Sequence, residues 1–403
     1  MRTPSTRDRI LEAADRRTRT DEPSSDFVPR VIAEIHSSRL RSNYDAIQKL
    51  NPGQGMIPMI KANAYGHGAS WAARTLRELP SLYALGVASL EEGAEIREAL
   101  GVKGRRTSIL VFSGAALWSD EKGNFCVRHG LTPVISTDED WSAFQGRGWT
   151  SRLPYELKFN TGMNRLGLSL GNLQAVRKSL LKLSMEERPR GILSHLAMAE
   201  SPESKLSREQ LARFQSLVRE LKPSLPAAQF HLANSSAIWN AKHFGLTELT
   251  DVVRPGISLY GVAPWPGAPS RGLQAVLELR SQVVAVHELR PGEGVGYGAT
   301  FQVSRSGSQK SQCVAILPVG YADGMHRYTS NRGTAVLEGR EERFLGIVSM
   351  DLSAISCTSR TRPGAPVEIL GPHTDIWEQA KNAGTLPYEL LTSLSGRVQR
   401  IYV

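Results

Sequence analysis

Ile60-Lys61-Ala62-Asn63-Ala64-Tyr65-Gly66-His67-Gly68 is the stretch on which the reading of this chain turns. The apolar run before Lys61, residues 56–60, has the length and composition of a short buried strand. It ends on a lysine, two glycines follow at Gly66 and Gly68, and a helical pattern starts near Ala69. An ammonium group at the end of a buried strand is costly to desolvate unless it has a partner or a chemical task. Burial also lowers a lysine's pKa and makes the amine nucleophilic. Most lysines are simply solvated at the surface, so a task for Lys61 needs support from the rest of the chain.

Outward from that stretch, strand-like and helix-like segments alternate. Candidate strands lie at 56–60, 83–88, 108–112, 132–135, 155–159, 191–195, 229–232 and 251–254. Amphipathic segments at 72–79, 91–100 and 208–221 fall between them, the last with Leu211, Phe214 and Val218 on one face. Eight such units predict an α/β protein with a (β/α)8 TIM-type barrel over residues 29–262. A doubly wound sheet gives a similar alternation. The polar residues favour the barrel: Lys61, Lys158, His195, Asn234, Ser235 and Arg254 all fall at or just after C-terminal strand ends, which in a barrel share one mouth.

Pro264-Trp265-Pro266-Gly267 then marks a boundary. Residues 263–403 read as a smaller, mostly β domain, with strands at 281–286, 313–318, 334–337, 344–348 and 366–369 and Val31–Ile35 as a candidate addition. Residues 1–28 read as a polar tail whose apolar foothold is Ile10-Leu11.

Composition narrows the function classes. With 40% hydrophobic and 22% charged residues, the 403-residue chain is of ordinary globular type. No apolar run approaches the roughly 18 residues of a membrane span, and residues 1–21 lack the apolar core of a secretory signal. A cytoplasmic protein with no membrane partner is expected. The net charge of +10 is spread along the chain without a nucleic-acid signature. It points to anionic small molecules, not to a nucleic-acid partner. Cys126, Cys313 and Cys357 are too far apart for a zinc site and odd in number for a disulfide framework. No metal is expected.

Further motifs follow in order: Leu157-Lys158-Phe159-Asn160-Thr161-Gly162-Met163-Asn164-Arg165-Leu166-Gly167, Ser194-His195-Leu196, His231-Leu232-Ala233-Asn234-Ser235-Ser236, Val253-Arg254-Pro255-Gly256-Ile257, Gly294-Val295-Gly296-Tyr297-Gly298-Ala299-Thr300-Phe301, Val319-Gly320-Tyr321-Ala322-Asp323-Gly324 and Ser349-Met350-Asp351. Together with the Lys61 stretch, and in this order, they resemble the pyridoxal-phosphate alanine racemase family of fold type III, from about residue 31 to residue 400. The resemblance implies an isomerase that interconverts L- and D-alanine and supplies D-alanine for peptidoglycan. It implies pyridoxal 5'-phosphate bound as a Schiff base to Lys61, with Tyr65, Ser235 and the backbone of Gly256 and Ile257 at the phosphate, Asn234 beside them, Arg254 at the pyridine nitrogen and His195 hydrogen-bonded to that arginine. It also implies a two-base reaction with Lys61 and Tyr297 on opposite faces of the substrate α-carbon. Arg165, Met350 and Tyr321 would meet the substrate, and Lys158 would be a candidate for carbamylation. A homodimer with shared active sites follows from the same likeness.

Three positions depart from the family pattern: Asn160 stands where the family usually has Asp, Ile347 where it often has Arg, and Gly396 where some members carry Tyr. The glycine keeps open a broader-specificity racemase acting on serine. A non-catalytic pyridoxal-phosphate-binding protein of the same barrel is the alternative from another class. The long β-rich stretch after Gly261 speaks against it.

Overall fold

A computed structural model describes residues 29–305 and 311–403; the tail assigned to residues 1–28 lies outside the described residues. Strand β1 (Val31–Ile35) leads into the helix Ser37–Leu50. Eight short strands follow: β2 (Gly55–Met56), β3 (Leu85–Val87), β4 (Ile109–Val111), β5 (Thr132–Ile135), β6 (Glu156–Lys158), β7 (Gly191–Leu193), β8 (Gln229–His231) and β9 (Val252–Val253). β3 to β8 pair in parallel in chain order, and β2 pairs with β9. Backbone bonds close the ring. Ile60 N donates to Gly86 O at 2.8 Å on one side of β2, and Asp251 N donates to Phe230 O at 2.7 Å beside β9. The chain therefore has the expected barrel.

Each observed strand matches an expected one, usually trimmed by a residue or two at its ends. The apolar run continues past the last ladder bond, because the turns at the mouth are buried as well. Leu90–Leu100 is started by a capping box in which Ser89 and Glu92 satisfy each other's backbone N–H groups. The helix Lys205–Leu221 turns differently from the expected face: Gln210, Phe214, Leu217 and Leu221 are buried, while Leu211 and Val218 are only partly covered. Gln210 is drawn inward because its side-chain amide donates to His195 O at 2.9 Å and accepts from Ala197 N at 2.9 Å.

After the barrel come β10 (Leu277–Gln282), β11 (Ala285–Leu289), β12 (Gly294–Val295), β13 (Phe301–Gln302), β14 (Gln312–Leu317), β15 (Thr334–Leu337), β16 (Arg340–Arg343), β17 (Ser353–Cys357), β18 (Pro366–Leu370) and β19 (Gln399–Tyr402). They form a six-stranded sheet in the order β16-β15-β18-β10-β1-β19, a three-stranded sheet β11-β14-β17 and the small pair β12-β13. β1 runs antiparallel to β10 and parallel to β19, so the first strand of the described chain belongs to the last sheet. Two expected strands are corrected. Residues 281–286 straddle β10 and β11, with Val283 and Val284 as the break. Residues 344–348 carry only an isolated bridge from Phe344 to Ile355. The strand there is the charged β16, which joins β15 through the two positive-φ residues Glu338 and Gly339, a tight hairpin turn. No helix among the described residues is long and apolar enough to cross a membrane.

The C-terminal segment clamps the Lys61 stretch. Gly66 has φ +85°, and a Cβ there would stand 2.0 Å from Leu391 O. Arg400 Nε donates to Gly66 O at 2.8 Å, and a Cβ on Gly68 would meet the Tyr402 hydroxyl at 2.1 Å. Gly66→Ala should therefore lower stability by roughly 2–4 kcal/mol through combined φ strain and overpacking. Urea unfolding of the variant against the parent measures this; a loss within about 0.5 kcal/mol, the usual size of a neutral surface change, would show that the clamp yields.

Candidate active site

Ala62, Asn63, Ala64 and Tyr65 follow Lys61 with φ of 50°, 53°, 53° and 52°, a full turn of left-handed helix. Each such residue costs roughly 1–2 kcal/mol in an L-chain, so the turn needs outside support. Glu92 supplies some, accepting from Ala62 N and Ala88 N at 2.7 Å each. Asn63 Oδ1 accepts from Ala69 N at 2.8 Å and anchors the start of the helix Ala69–Leu76. Fully buried His67 lies within 3.1 Å of Ala64 O and 2.9 Å of Tyr65 O through Nδ1, which must donate to these carbonyls. The turn projects Lys61 and Tyr65 into one cavity of about 230 Å³ at the C-terminal ends of the barrel strands.

That cavity also collects Lys158, Arg165, His195, Asn234, Ser235, Arg254, Gly256 and Ile257. One end is an anion seat. Ser235 Oγ accepts from Gly256 N at 3.0 Å, and a Cβ on Gly256 would stand 2.6 Å from the Tyr65 hydroxyl. Glycine thus keeps a small cradle open between a phenol, a serine hydroxyl and backbone N–H groups, donors that suit a phosphate. Asn234 Oδ1 accepts from Ala237 N at 3.0 Å, so this residue shapes the loop that carries Ser235.

At the other end Arg254 is held from below. Its Nη1 donates to His231 Nδ1 at 2.7 Å; its Nη2 donates to Ser194 O and Leu232 O and reaches His195 Nδ1 at 3.3 Å. His231 accepts on Nδ1, so its proton sits on Nε2 and is donated to Glu156 at 2.8 Å. Burial pushes the pKa of both histidines down. Burial also brings Arg254 to about 10, opposed by Glu156, and it stays cationic at neutral pH. Arg254 Nε–H and the second N–H of Nη1 have no protein acceptor among the described residues, and they remain for a ligand. Burial first and the Arg165 charge second lower Lys61, and the same two causes bring Lys158 to about 8.

Asn160, the departure from the family pattern, accepts from Gly162 N and Asn164 N at 3.0 and 3.1 Å and donates to Asn164 Oδ1. It braces the turn that carries Arg165. Tyr297, Tyr321 and Met350 do not line this cavity. Tyr297 is 73% exposed. All three lie between strands of the C-terminal domain, where Gly296 packs near Ile347 and Tyr321 N donates to Ser349 O at 3.0 Å. Arg397 pairs with both Asp323 and Asp351, beside Tyr321 and Met350.

Sequence reasoning missed Tyr388, which enters the cavity from the helix Pro387–Thr392 with its ring 6.1 Å from that of Tyr65. It missed the Glu156–His231 pair as well, although a glutamate inside an apolar strand was a usable signal.

Family models of the alanine racemase N-terminal and C-terminal domains match residues 35–264 and 276–402. The chain belongs to the alanine racemase family. Alanine racemases of Legionella pneumophila (strain Lens) and Carboxydothermus hydrogenoformans are 35% and 34% identical to it, covering 91% and 93% of the chain and 97% and 99% of their own. Among solved structures, the alanine racemase of Streptomyces coelicolor A3(2) superposes with a TM-score of 0.83 at 29% identity, over 94% of the chain and 100% of its own. That of Bartonella henselae, with covalently bound pyridoxal phosphate, gives 0.81 at 29%, over 93% and 100%. The chain is accordingly an isomerase of the alanine racemase type, and the cavity at its barrel mouth is the candidate active site.

The buried imidazole under the left-handed turn gives this racemase fold an acid limit. Burial lowers His67 to about 4 from an unfolded value of 6.5. Between those values the unfolded chain binds a proton that the folded chain refuses. Stability is unaffected above pH 6.5 and falls below it, by about 3 kcal/mol once pH 4 is reached. Unfolding free energies measured across this range should show a shallower acid loss in His67→Gln than in the parent; equal slopes would place the titration elsewhere.

Proposed function

We propose that the chain interconverts L- and D-alanine with two bases and pyridoxal 5'-phosphate, and that D-alanine for peptidoglycan is its product. The anion seat beside Gly256 carries this reading, because it lies in one cavity with an amine of lowered pKa and a buried guanidinium. Tyr65, Ser235 and the N–H groups of Gly256 and Ile257 would hold the phosphate, Lys61 the aldehyde carbon, and Arg254 Nε–H the ring nitrogen. When bound, the cofactor supplies an electron-withdrawing ring that acidifies the α-hydrogen of an amino acid.

The protein's own residues move the proton. Lys61 Nζ, neutral more readily than an ordinary lysine, takes or returns it on one face of the α-carbon. Tyr297 Oη does so on the other. Tyr297 stands outside its own chain's cavity and is largely exposed, which supports a head-to-tail homodimer in which it completes a partner's site. Arg165 offers its guanidinium to the substrate carboxylate, with Met350 and Tyr321 arriving on the same face as Tyr297. Arg254 cannot hand a proton to the ring nitrogen without losing its own charge, so it disfavours full carbanion delocalisation and the side reactions that follow from it.

Lys61→Ala should lower racemisation at least about 10³-fold, as loss of a catalytic base does, and should abolish borohydride trapping of pyridoxal phosphate on the chain. Trapping at an unchanged level would remove Lys61 from the site. Mixing Lys61→Ala with Tyr297→Phe protein should restore about a quarter of parental activity, since half of random dimers are mixed and each holds one intact site. No recovery despite subunit exchange would exclude sharing.

Lys158, Lys61, Arg165 and Arg254 crowd four cations around one cavity that no carboxylate lines. A neutral Lys158 amine adding carbon dioxide, with release of one proton, would replace a cation with an anion and hold Arg165. Labelled bicarbonate should then give a carbamate carbon signal that grows as pH rises through about 8 and is absent in Lys158→Arg. Identical signals from both proteins would refute the modification.

A further inference from the structure

We propose that a second cavity, at the opposite end of the barrel, binds a small phosphate-bearing anion. It lies at the N-terminal ends of the strands: Ser108 precedes β4, Thr132 opens β5 and Arg190 precedes β7. Its volume is about 220 Å³, below the roughly 300–1,000 Å³ of sites for drug-sized ligands. This size suits a phosphate or diphosphate group.

Four arginines line it, Arg97, Arg105, Arg106 and Arg190, and no carboxylate does. Arg97 is the fixed cation of the wall. Its guanidinium donates to His129 O, Gly104 O, Thr107 O and Gly130 O, at 2.6 to 3.0 Å. All these acceptors are neutral carbonyls, two of them at the end of the helix Asp120–His129, so its charge is held in place without a counter-ion. Arg105, Arg106 and Arg190 are exposed and have no hydrogen bond or ion pair through their guanidinium groups among the described residues. Glu156, which accepts from the hydroxyl of the lining residue Tyr83, is buried and also committed to His231. Thr107, Ser108 and Thr132 line the same cavity, and their hydroxyls donate to no protein acceptor among the described residues.

Bringing four like charges to one concavity is unfavourable unless an anion joins them. Guanidinium forks match phosphate oxygens two at a time, and hydroxyls fill the remaining positions. A carboxylate ligand would use the forks but leave most of the hydroxyls idle, which is why the phosphate class is favoured. The site does not depend on the reading of the barrel mouth: the cavities share no lining residue.

The test is calorimetric titration of inorganic pyrophosphate into protein first saturated with pyridoxal phosphate, so that the seat beside Ser235 is already filled. One saturable site per chain is expected, weaker at higher salt because surface charges are screened over about 8 Å at physiological ionic strength. The double variant Arg105→Ala/Arg106→Ala and the single variant Arg190→Ala should each weaken binding at least about ten-fold, the scale of losing a charge-assisted pair. Arg41→Ala, an exposed arginine of the helix Ser37–Leu50, should leave it unchanged, and all three variants should keep the parental melting midpoint. Absence of saturable heat, an equal loss in Arg41→Ala, or a single-stranded oligonucleotide that displaces pyrophosphate at equal phosphate concentration would each overturn the proposal.

Discussion

Glu156, His231 and Arg254 form a line of charge through the barrel interior, and the architecture of the mouth rests on it. A lone buried guanidinium would be expelled or would lose its proton. Here a neutral imidazole lies between it and a fully buried carboxylate, and carbonyls of β7 and β8 loops take the other donors. Nε–H is left without a protein acceptor among the described residues. Its direction is set by four neighbours at the ends of β7 and β8, so it does not depend on a ligand being present. Such preorganisation keeps a donor aimed without reorientation.

A second constraint is steric. The left-handed turn after Lys61 would relax to a right-handed one if nothing opposed it. The opposing contacts come from far along the chain: Leu391 against Gly66, Arg400 on its carbonyl, Tyr402 against Gly68. The C-terminal residues thus determine where the amine at the barrel mouth points. β1 strengthens the same link, because the strand that precedes the barrel lies inside the last sheet. Two regions that look separable by composition are therefore mechanically one.

Charge accounts for much of the rest. The mouth gathers cations, and burial and mutual repulsion both lower the pKa of its lysines. The far end of the barrel gathers arginines, and three of the four there are exposed.

The (β/α)8 alternation and most of the cavity's polar lining were legible in the sequence. Strand periodicity and residues at strand ends are local signals, and a barrel converts strand ends into neighbours by its topology. What was not legible shares one cause. Tyr388 reaches the cavity from the last helix. Gln210 turns its helix face by bonding a backbone carbonyl, and the charged β16 is a strand only because β15 pairs with it. Each depends on a partner outside its own segment, elsewhere in the chain for Tyr388 and Gln210 and across a two-residue turn for β16, which the segment's own residue pattern does not show. The sequence alone determined which residue types stand at the mouth and in what order. The tertiary structure decided which of them meet within one chain, leaving Tyr297 outside, because meeting depends on how the C-terminal sheets pack on the barrel and not on spacing along the chain.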